Sequence, residues 1–519
     1  MLHLTDRFSP AKYNMSHDTY NRCSYIEIHL EQFEPAMSRY GQLAALLQQQ
    51  IERGVWQPGE RIPSIRQSCK THALSPMTVL QAYQLLESRG LILARPQSGY
   101  YVKAAASPLR TSAPQQAHYS GSVDINDLVF EVLQASKSRE LVPLGMAVAD
   151  PALFPHPQLG RALASCMRRL DPFRTVADLP PGNEALRRAI AQRYAGDGLA
   201  VDPQQIIITT GAMEALSLGL QALTEPGDWV VVESPTFYGA LQAIERLKLN
   251  VVEIPVIPGV GIDLALLVEA LILRPIKACW LMGNVQHPLG HTMPDGHKQA
   301  LMALLNEHRV PLVEDDVYAE LYFGRERPRP IKHWDARGDS LLCSSWTKCL
   351  APGFRVGWVV AGPHAERIQR LQLMSTLSTN VPSQLALADM LRQGGVDAHF
   401  RRLRHTLAQR QQQMRAALLR LFPDEVRISA PDGGYFLWLE FAPRLDGRAL
   451  HAQALACGFS LAPGALFSSQ GQHNHCLRIN SSHPWSPQLE AALVRLAELI
   501  NTQLSQNTLY DGNNSVRGS

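Results

Sequence analysis

The chain has little that points to a membrane, to secretion or to a metal. Its eight cysteines are scattered over 519 residues without a C-x-x-C pair, so neither a zinc site nor a redox dithiol is predicted. The first residues, MLHLTDRFSPAKYN, lack the apolar run of a signal peptide. Charged residues interrupt every apolar stretch before it reaches the roughly 20 residues that span a bilayer. These absences predict a cytoplasmic protein with buried thiols, no membrane partner and no bound metal.

The composition also excludes disorder or fibrous structure for the chain as a whole. Hydrophobic residues make up 45% and charged residues 18%, and 35 glycines and 35 prolines are close to ordinary usage. At about 150 residues per domain, the length predicts roughly three folded units. The net charge is only +3, yet the segment 37–103 holds eight basic and three acidic side chains. Such a basic segment predicts a polyanionic partner for that part of the chain alone.

The basic segment has the pattern of three helices followed by a hairpin. Apolar residues recur on one helical face from Tyr40 to Ile51, and Ser64 and Ser75 are placed to cap two further helices. Two short apolar runs on either side of a Pro-Gln-Ser-Gly turn then predict a hairpin. Together these elements make a winged helix-turn-helix. In such a unit the third helix enters the major groove of double-stranded DNA, while basic and small polar groups hold phosphates.

Two blocks cover nearly all of residues 40–102, YGQLAALLQQQIERGVWQPGERIPSIRQ and TVLQAYQLLESRGLILARPQSGYYV. They closely resemble the DNA-binding head of the GntR family of bacterial regulators. The resemblance implies that Arg66 contacts a phosphate or a base of operator DNA and that the recognition helix begins near Ser75. The residues that it places at the DNA are Ser64, Arg66, Ser75, Met77, Thr78, Gln97, Ser98 and Gly99.

The third helix departs from that resemblance at its start. Several relatives carry arginines there, whereas the exposed positions here are Pro76, Met77 and Leu80. None of these side chains offers the bidentate hydrogen bonds that recognise guanine. Base recognition is therefore expected to depend on methyl contacts and on Gln81 or Gln84, and the operator sequence does not follow from the chain.

The rest of the chain predicts a linker and a large α/β domain. Beyond the stretch AAASPLRTSAPQQAHYSGS, apolar β-branched runs alternate with helical patterns, which favours a mostly parallel sheet with crossover helices. Strands are expected at 205–209, 229–233, 251–254, 277–282, 310–314, 341–344 and 356–360. The predicted organisation is an N-terminal extension expected to be disordered (1–36), a winged helix-turn-helix (37–103), a linker (104–122), the large α/β domain with a smaller C-terminal α+β lobe (123–505) and a polar tail (506–519).

The block SSWTKCLAPGFR places a lysine after a buried strand. Desolvation there favours the neutral amine, which is the form that condenses with an aldehyde to a Schiff base. Ser345 and Arg355 flank Lys348 and can supply a hydroxyl and a guanidinium to one phosphate. The block TGAM opens a helix at Ala212 and Met213, whose free N–H groups suit the same anion. A lysine beside a phosphate site indicates a phosphorylated aldehyde.

The block VEDDVY puts an acid and a phenol after another strand. An aspartate paired with a pyridinium nitrogen keeps that ring protonated and electron-withdrawing, which is the central requirement of pyridoxal phosphate chemistry. The cofactor inferred from the three blocks is pyridoxal 5'-phosphate, PLP.

Eight blocks between about residues 140 and 500 then occur in one order, namely GNEALRRAIAQRY, ITTGAMEAL, VVVESPTFYGAL, NVQHPLG, VEDDVYAELYF, SSWTKCLAPGFRVGW, PDGGYFLWLE and CLRINSS. They resemble the fold-type I aminotransferases, and with the head the chain resembles the MocR subfamily of GntR regulators. The resemblance makes Lys348 the Schiff-base lysine and Asp315 the partner of the pyridine nitrogen, with Asp316 a structural neighbour. It makes Arg478 the clamp for the carboxylate of an amino-acid ligand, with the Gly145 region closing over it. The other cofactor-binding residues that it implies are Ala212, Met213, Phe237, His287, Tyr318, Ser345 and Arg355.

A second departure lies in NVQHPLG. Aminotransferases commonly have asparagine directly before this proline, where it donates to the phenolic oxygen of the cofactor, and this chain has His287. A neutral imidazole can donate as well. Because it is bulkier than an amide and titratable, the substitution argues against efficient transamination. The alternative is a loop histidine without a cofactor contact.

Three hypotheses for the function follow. The leading one is a PLP-dependent transcriptional regulator, homodimeric by resemblance, whose aminotransferase-like domain senses an amino acid, an amine or PLP itself. Coupling to DNA, rather than turnover, is then the expected output. The alternative is an active aminotransferase with a secondary DNA-binding head. The third is a DNA-binding module that carries an empty aminotransferase fold.

Overall fold

The computed structural model describes residues 39–57, 59–88, 91–95, 99–102, 116–121, 123–135, 138, 140–173, 179–423 and 425–515. The chain divides into two compact units, Met1–Ala105 and Ala106–Ser519. The predicted N-terminal extension lies outside the described residues, and so do Gln97 and Ser98 of the predicted wing. The last helix continues to Ser515, so it includes most of the segment that the sequence assigned to a polar tail.

The first unit contains three helices and a hairpin, in the predicted order. The Ser64 hydroxyl accepts the Gln67 N–H at 3.2 Å, and the Ser75 hydroxyl accepts the Thr78 N–H at 3.2 Å. These caps satisfy amides that have no carbonyl partner inside their helices. The elements are α1 (Arg39–Glu52), α2 (Ile65–His72), α3 (Pro76–Ser88), β1 (Ile92–Arg95) and β2 (Gly99–Val102).

A buried tyrosine holds this unit together. The ring of Tyr83 meets that of Tyr100 edge-on, with centroids 4.9 Å apart. Its hydroxyl donates to the Pro63 carbonyl at 2.7 Å and shares a 2.7 Å hydrogen bond with the Ser68 hydroxyl. Because Ser68 belongs to α2 and Pro63 to the loop before it, Tyr83 fixes α2 against α3. The other buried apolar residues of this core are Leu43, Ala44, Leu47, Ile62, Val79, Ala82, Leu86, Ile92 and Val102.

The second unit is built on a mostly parallel sheet, as predicted. Its strands are β3 (His118–Ser120), β4 (Ile206–Thr209), β5 (Trp229–Ser234), β6 (Asn250–Ile257), β7 (Gly261–Ile262), β8 (Ile276–Leu281), β9 (Leu312–Asp315), β10 (Leu341–Ser345) and β11 (Gly357–Val360). They lie in the order β3-β6-β5-β8-β9-β10-β11-β4, and β7 pairs with β6. The neighbours from β6 to β10 are parallel, whereas β11 is antiparallel to β10 and β4. All seven predicted strand segments are strands.

Helices pack on both faces of this sheet. Successive side chains of a strand point to opposite faces, and along β5 Val230 and Val232 contact one group of helices while Val231 contacts another. The first group includes α4, α7 and α8, and the second consists of α9 and α10. The helices are α4 (Asn126–Ala135), α5 (His156–Arg169), α6 (Glu184–Gly196), α7 (Ala212–Leu223), α8 (Tyr238–Arg246), α9 (Leu264–Leu273), α10 (Asp295–His308), α11 (Ala365–Ser375) and α12 (Val381–Gln393).

A smaller lobe with its own antiparallel sheet completes the second unit, in agreement with the predicted C-terminal α+β lobe. Its strands lie in the order β12-β13-β15-β14 when numbered along the chain. Leu437, Leu477 and Ile479 of the two central strands pack against Leu493 and Ile500 of the last helix. The elements are α13 (Val396–Leu421), β12 (Arg427–Ile428), β13 (Phe436–Glu440), α14 (Gly447–Ala456), β14 (Ala462–Pro463), β15 (Cys476–Asn480) and α15 (Pro487–Ser515).

Two details differ from the sequence predictions. The end of the predicted linker forms β3, which pairs antiparallel with β6. The ring of Tyr119 on β3 packs against Trp229, and the Arg274 guanidinium lies 4.9 Å from the centroid of the Trp229 ring. The described cysteines are free, but Cys457 is exposed and Cys69 is only half-buried, so the prediction of buried thiols is wrong for these two.

Within the described residues, no helix combines the length and apolarity that a membrane crossing requires. The same part of the chain contains no group of three or more His, Cys, Asp or Glu that could hold a metal ion.

We expect Tyr83→Phe to lower the free energy of unfolding of the first unit by about 1–3 kcal/mol. The substitution leaves the ring in place but removes the partner of a buried hydroxyl and a carbonyl. Amide hydrogen exchange of α2 and α3 in the full chain measures the effect as faster exchange. Tyr40→Phe, on the exposed side of α1, is the control, and equal exchange in both variants would contradict the role of the Tyr83 hydroxyl.

Candidate functional site

The site lies at the carboxyl ends of neighbouring parallel strands. β9 ends at Asp315, β10 ends at Ser345, and Cys343 of β10 pairs with Asp315. The carboxyl edge of an open α/β sheet is where ligands bind, because the strands there give way to loops and helix N-termini. The residues predicted from separate blocks of sequence therefore meet at one edge.

Lys348 lies in the connection between β10 and β11. Its Nζ donates to the Ala147 carbonyl at 2.9 Å and lies 5.7 Å from the centroid of the Tyr318 ring. Burial, reinforced by the Arg478 guanidinium, lowers the pKa of Lys348 to about 8, against the opposing effect of Asp315. A far larger fraction of this amine is neutral near pH 8 than in a solvated lysine.

Asp315 is buried and has spare hydrogen-bonding capacity. One carboxylate oxygen accepts the Val317 N–H at 3.2 Å. Burial raises the pKa of Asp315 to about 7, and the charge of Asp316 adds to the rise while the Val317 N–H and Lys348 oppose it. A cationic N–H donor beside this carboxyl would favour its charged form.

Asp316, the next residue, is already partnered. Its carboxylate accepts from the Asn284 amide at 2.8 Å and from the Arg327 guanidinium at 3.4 Å. The Ser344 hydroxyl donates to its main-chain carbonyl at 3.0 Å. These contacts agree with the structural role that the sequence assigned to Asp316.

The N-terminus of α7 faces the neighbouring strand β11 at close range. Gly211 precedes the helix with a φ of +88°, and no side chain caps the first turn. A Cβ added at Gly357 of β11 would overlap the Gly211 carbonyl carbon and lie 2.6 Å from the Ala212 nitrogen. The main chain of β11 therefore packs directly against the start of α7. The N–H groups of Ala212 and Met213 at this helix start can bind an anion.

Arg355 lies at the same helix start, and Ser345 pairs in register with Gly357, the residue that packs against it. The Arg355 guanidinium donates to the Thr210 carbonyl at 3.4 Å and lies 2.6 Å from the position that a Cβ at Gly211 would occupy. The Ser345 side chain is buried, and its hydroxyl accepts the Thr347 N–H at 3.4 Å. The Arg355 guanidinium and the first amides of α7 thus lie together where the sequence predicts a phosphate, and Ser345 lies on the strand next to Gly357.

An aromatic cluster surrounds His287. Its ring lies nearly parallel to that of Tyr318, with centroids 5.8 Å apart, and 5.4 Å from that of Phe237. His287 is buried, its Nδ1 has no hydrogen-bond partner among the described residues, and its Nε2 contacts Arg478 at 3.1 Å. The structure thus brings His287 to the predicted site, where one ring nitrogen remains available.

Arg478 on β15 is one of the largest fully buried side chains in the described chain. One terminal nitrogen contacts His287, the other donates to the Gly145 carbonyl, and the guanidinium lies 4.3 Å from the centroid of the Phe436 ring. Burial lowers the pKa of Arg478. In the described residues no carboxylate forms an ion pair with it. Burying a cation without a counter-ion costs free energy, and an anionic ligand beside Arg478 would offset that cost.

Sequence reasoning missed two residues that shape the same region. The Tyr435 hydroxyl donates to the Ala147 carbonyl at 3.3 Å, beside Lys348. Asn480, two residues after Arg478, donates to the carbonyls of Met146 and Val148 at 3.0 and 2.8 Å. Both lie in blocks that the sequence analysis quoted, PDGGYFLWLE and CLRINSS, so the blocks were the only available signal.

The predicted DNA-contacting residues lie on the head as follows. Arg66 on α2 and Met77 on α3 are exposed, and Met77 is 63% exposed. Ser64, Ser75 and Thr78 lie at the helix starts, where their hydroxyls or amides form the caps. Gly99 opens β2 with a φ of +111°, and a Cβ there would lie 2.9 Å from the Arg61 Nε. Gln97 and Ser98 lie outside the described residues.

Known proteins resemble the chain over both units. Residues 155–496 match the family described as aminotransferase class I and II, and residues 39–102 match the bacterial regulatory proteins of the gntR family. An uncharacterized HTH-type transcriptional regulator of Escherichia coli (strain K12), YdcR, is 51% identical over 90% of this chain and 100% of its own length. A second one from the same organism, YjiR, is 38% identical over 89% of this chain and 99% of its own length.

The large unit also resembles a solved structure. LysN, the α-aminoadipate aminotransferase of Thermus thermophilus, was solved in complex with N-(5'-phosphopyridoxyl)-L-leucine. It is 26% identical, covers 73% of this chain and 95% of its own length, and superimposes with a TM-score of 0.65. Relatives that share both units are named as regulators, which favours a regulator over the alternative of an enzyme. The chain therefore belongs to the GntR family of bacterial transcriptional regulators, and its fused aminotransferase domain is that of the MocR subfamily.

Proposed function

We propose that this regulator holds PLP at Lys348 and couples the binding of an amino acid or amine to the affinity of its head for operator DNA. The observation that carries the proposal is Lys348 itself, an amine with a lowered pKa between Asp315 and the unpaired cation of Arg478. An ordinary structural lysine needs none of these neighbours. We further propose a cytoplasmic homodimer, since two heads related by a two-fold axis match the two half-sites of an operator.

The residues present fit PLP. The uncapped start of α7, with Arg355 and Ser345, suits its phosphate. Asp315 is a buried carboxyl in need of a cationic donor, and the unpartnered Nδ1 of His287 suits an anionic phenolic oxygen. When bound, the cofactor supplies an aldehyde that condenses with primary amines and a ring that withdraws electrons. LysN, solved with a phosphopyridoxyl group joined to leucine, supports the same assignment.

Three residues of the chain have separate roles in binding the cofactor and the ligand. Lys348 would hold the aldehyde of the cofactor through its neutral amine, and that aldehyde would supply the electrophile for the amine of a ligand. Arg478 binds the ligand carboxylate, for which its guanidinium has the matching fork geometry. Asp315 holds the proton of the ring nitrogen. Ligand binding then favours the arrangement for which the ligand has the higher affinity, and the factor by which the ligand changes DNA affinity equals the factor by which DNA changes ligand affinity.

The reactivity of Lys348 should depend on pH with a midpoint near 8. Because its pKa is lowered to about 8, the neutral fraction rises about tenfold between pH 7 and pH 9. Brief labelling with an amine-selective reagent, followed by peptide mapping, measures that fraction at each pH. The exposed Lys248 is the internal reference, and a Lys348 profile parallel to that of Lys248 would contradict a perturbed amine.

Lys348→Ala should abolish the response to ligand. With PLP added, we expect wild-type protein to show long-wavelength absorbance that amino acids or amines alter, together with a changed DNA affinity. Lys348→Ala should lose both responses, and Lys248→Ala should keep them. Wild-type protein without this absorbance would support an empty fold, and turnover at ordinary enzyme rates would support the aminotransferase alternative.

Arg66→Ala should weaken DNA binding and reduce its salt dependence. Each phosphate contact releases about one counterion, so the slope of log affinity against log salt concentration should fall by about one. Arg168→Ala removes the same charge from the exposed surface of α5 in the other unit and should leave the slope unchanged. A slope that Arg66→Ala does not alter rules out the phosphate contact.

A further inference from the structure

A second cleft lies in the large unit, between α5, α12 and the start of α13. Its volume is about 720 Å³, which is within the range of roughly 300–1,000 Å³ that small-molecule sites occupy. None of the described residues assigned to the cofactor site lines it. We call it the α5–α13 cleft, and it is a separate candidate for a ligand.

Three arginines line the α5–α13 cleft. Arg161 and Arg168 lie two helical turns apart on the same face of α5, which separates them by about 10 Å along the helix axis. Arg402 lines the same cleft from the second turn of α13. In the described part of the chain none of the three forms an ion pair with a carboxylate. The cleft therefore has a positive wall on two sides.

The nearest carboxylate does not neutralise these arginines. Asp389 on α12 is the one acidic side chain among the described residues that line the cleft. It accepts from the guanidinium groups of Arg169 and Arg392, both at 2.6 Å, and neither of those arginines lines the cleft. The charge of Asp389 is thus already compensated. The three lining cations repel one another, and an anion between them would offset that repulsion.

The start of α13 adds further donors to the cleft. Gly394 and Gly395 precede this 26-residue helix with φ angles of +79° and +87°, and no side chain caps its first turn. The Gly395 carbonyl accepts the His399 N–H at 3.1 Å, so the amides of residues 396–398 have no carbonyl partner inside the helix. A Cβ added at either glycine would meet nothing within 4 Å, so the space in front of these amides is open.

We propose that the α5–α13 cleft binds a small bisphosphate. Three guanidinium groups and one helix N-terminus supply roughly 3.5 positive charges. Two phosphate monoesters carry about −3 to −4 at pH 7, whereas a dicarboxylate carries about −2. Guanidinium forks match phosphate oxygens, and the separation of Arg161 and Arg168 suits two phosphates at opposite ends of one ligand. This site does not depend on a cofactor at Lys348.

The α5–α13 cleft also contacts the segment that contains Lys348. Leu350 and the buried ring of His399 both line it. The His399 Nε2 donates to the Cys349 carbonyl at 2.7 Å, because a carbonyl oxygen only accepts. A bisphosphate that holds the first turn of α13 therefore also stabilises residues 349–350, which directly follow Lys348.

Isothermal titration calorimetry of the full-length protein, at one pH and one ionic strength, tests the proposal with fructose 1,6-bisphosphate as the probe. The probe should bind at least about tenfold more tightly than fructose 6-phosphate, which has one phosphate, or adipate, which has two carboxylates. Arg161→Gln and Arg402→Gln keep a polar side chain but remove one charge. Each should weaken binding of the probe at least about fivefold.

Arg401→Gln is the matched control. Arg401 is exposed on α13 beside Arg402 but does not line the cleft. The variant removes the same charge from nearly the same place, so it should bind the probe like the wild type. Thermal unfolding without the probe checks that each variant is folded. In the wild type, the probe should also slow amide hydrogen exchange at residues 396–399.

Three results would overturn the inference. The first is a wild type that binds the bisphosphate no more tightly than fructose 6-phosphate. The second is a loss of affinity in Arg161→Gln and Arg402→Gln that is no larger than the loss in Arg401→Gln. The third is binding that leaves amide exchange at the start of α13 unchanged, because the probe then lies elsewhere. The function proposed at Lys348 is judged by cofactor absorbance, so the two failures are distinguishable.

Discussion

The cost of burying charge at the carboxyl edge of the large sheet is the constraint on which the site depends. Glu314, Asp315 and Asp316 are consecutive and buried, and burial raises the pKa of each. Main-chain N–H groups of residues 331–332 satisfy the first, and an amide and a guanidinium satisfy the third. Asp315 is left with one N–H bond and a location at the end of its strand. Of the three carboxyls, Asp315 therefore has the fewest hydrogen bonds within the described residues.

The sequence predicts the strands well because β-branched runs between turn residues are local features. Local sequence features do not determine the direction of β11 in the sheet. Residues 346–356, between β10 and β11, contain no α-helix, and a parallel pair would need a longer crossover. The connection that contains Lys348 is therefore also the one after which the strand direction reverses. The position of β3 was missed for a similar reason, since its partners β6 and Trp229 are remote in sequence.

The candidate site was predictable as a set of blocks but not as a set of contacts. Lys348 and Arg478 each lie in a recognisable block, while the hydrogen bond between His287 and Arg478 joins residues 191 positions apart. Asn480 and Tyr435 have no local signature, because what distinguishes them is the distant carbonyls they contact near residue 147. Pairings of this kind arise from the packing of the smaller lobe on the sheet, which periodicity does not encode.

A histidine beside Arg478 affects binding and turnover differently. An imidazole that accepts from a guanidinium has to stay neutral, and burial keeps the pKa of His287 well below its usual value. Near neutral pH it is therefore a fixed donor and acceptor and not a carrier of protons. Fixed groups favour one ligand geometry, whereas transamination also needs a mobile proton, a task that Lys348 can perform. A fixed histidine at this position therefore suits the proposed output, coupling to DNA, which needs a defined ligand geometry rather than turnover.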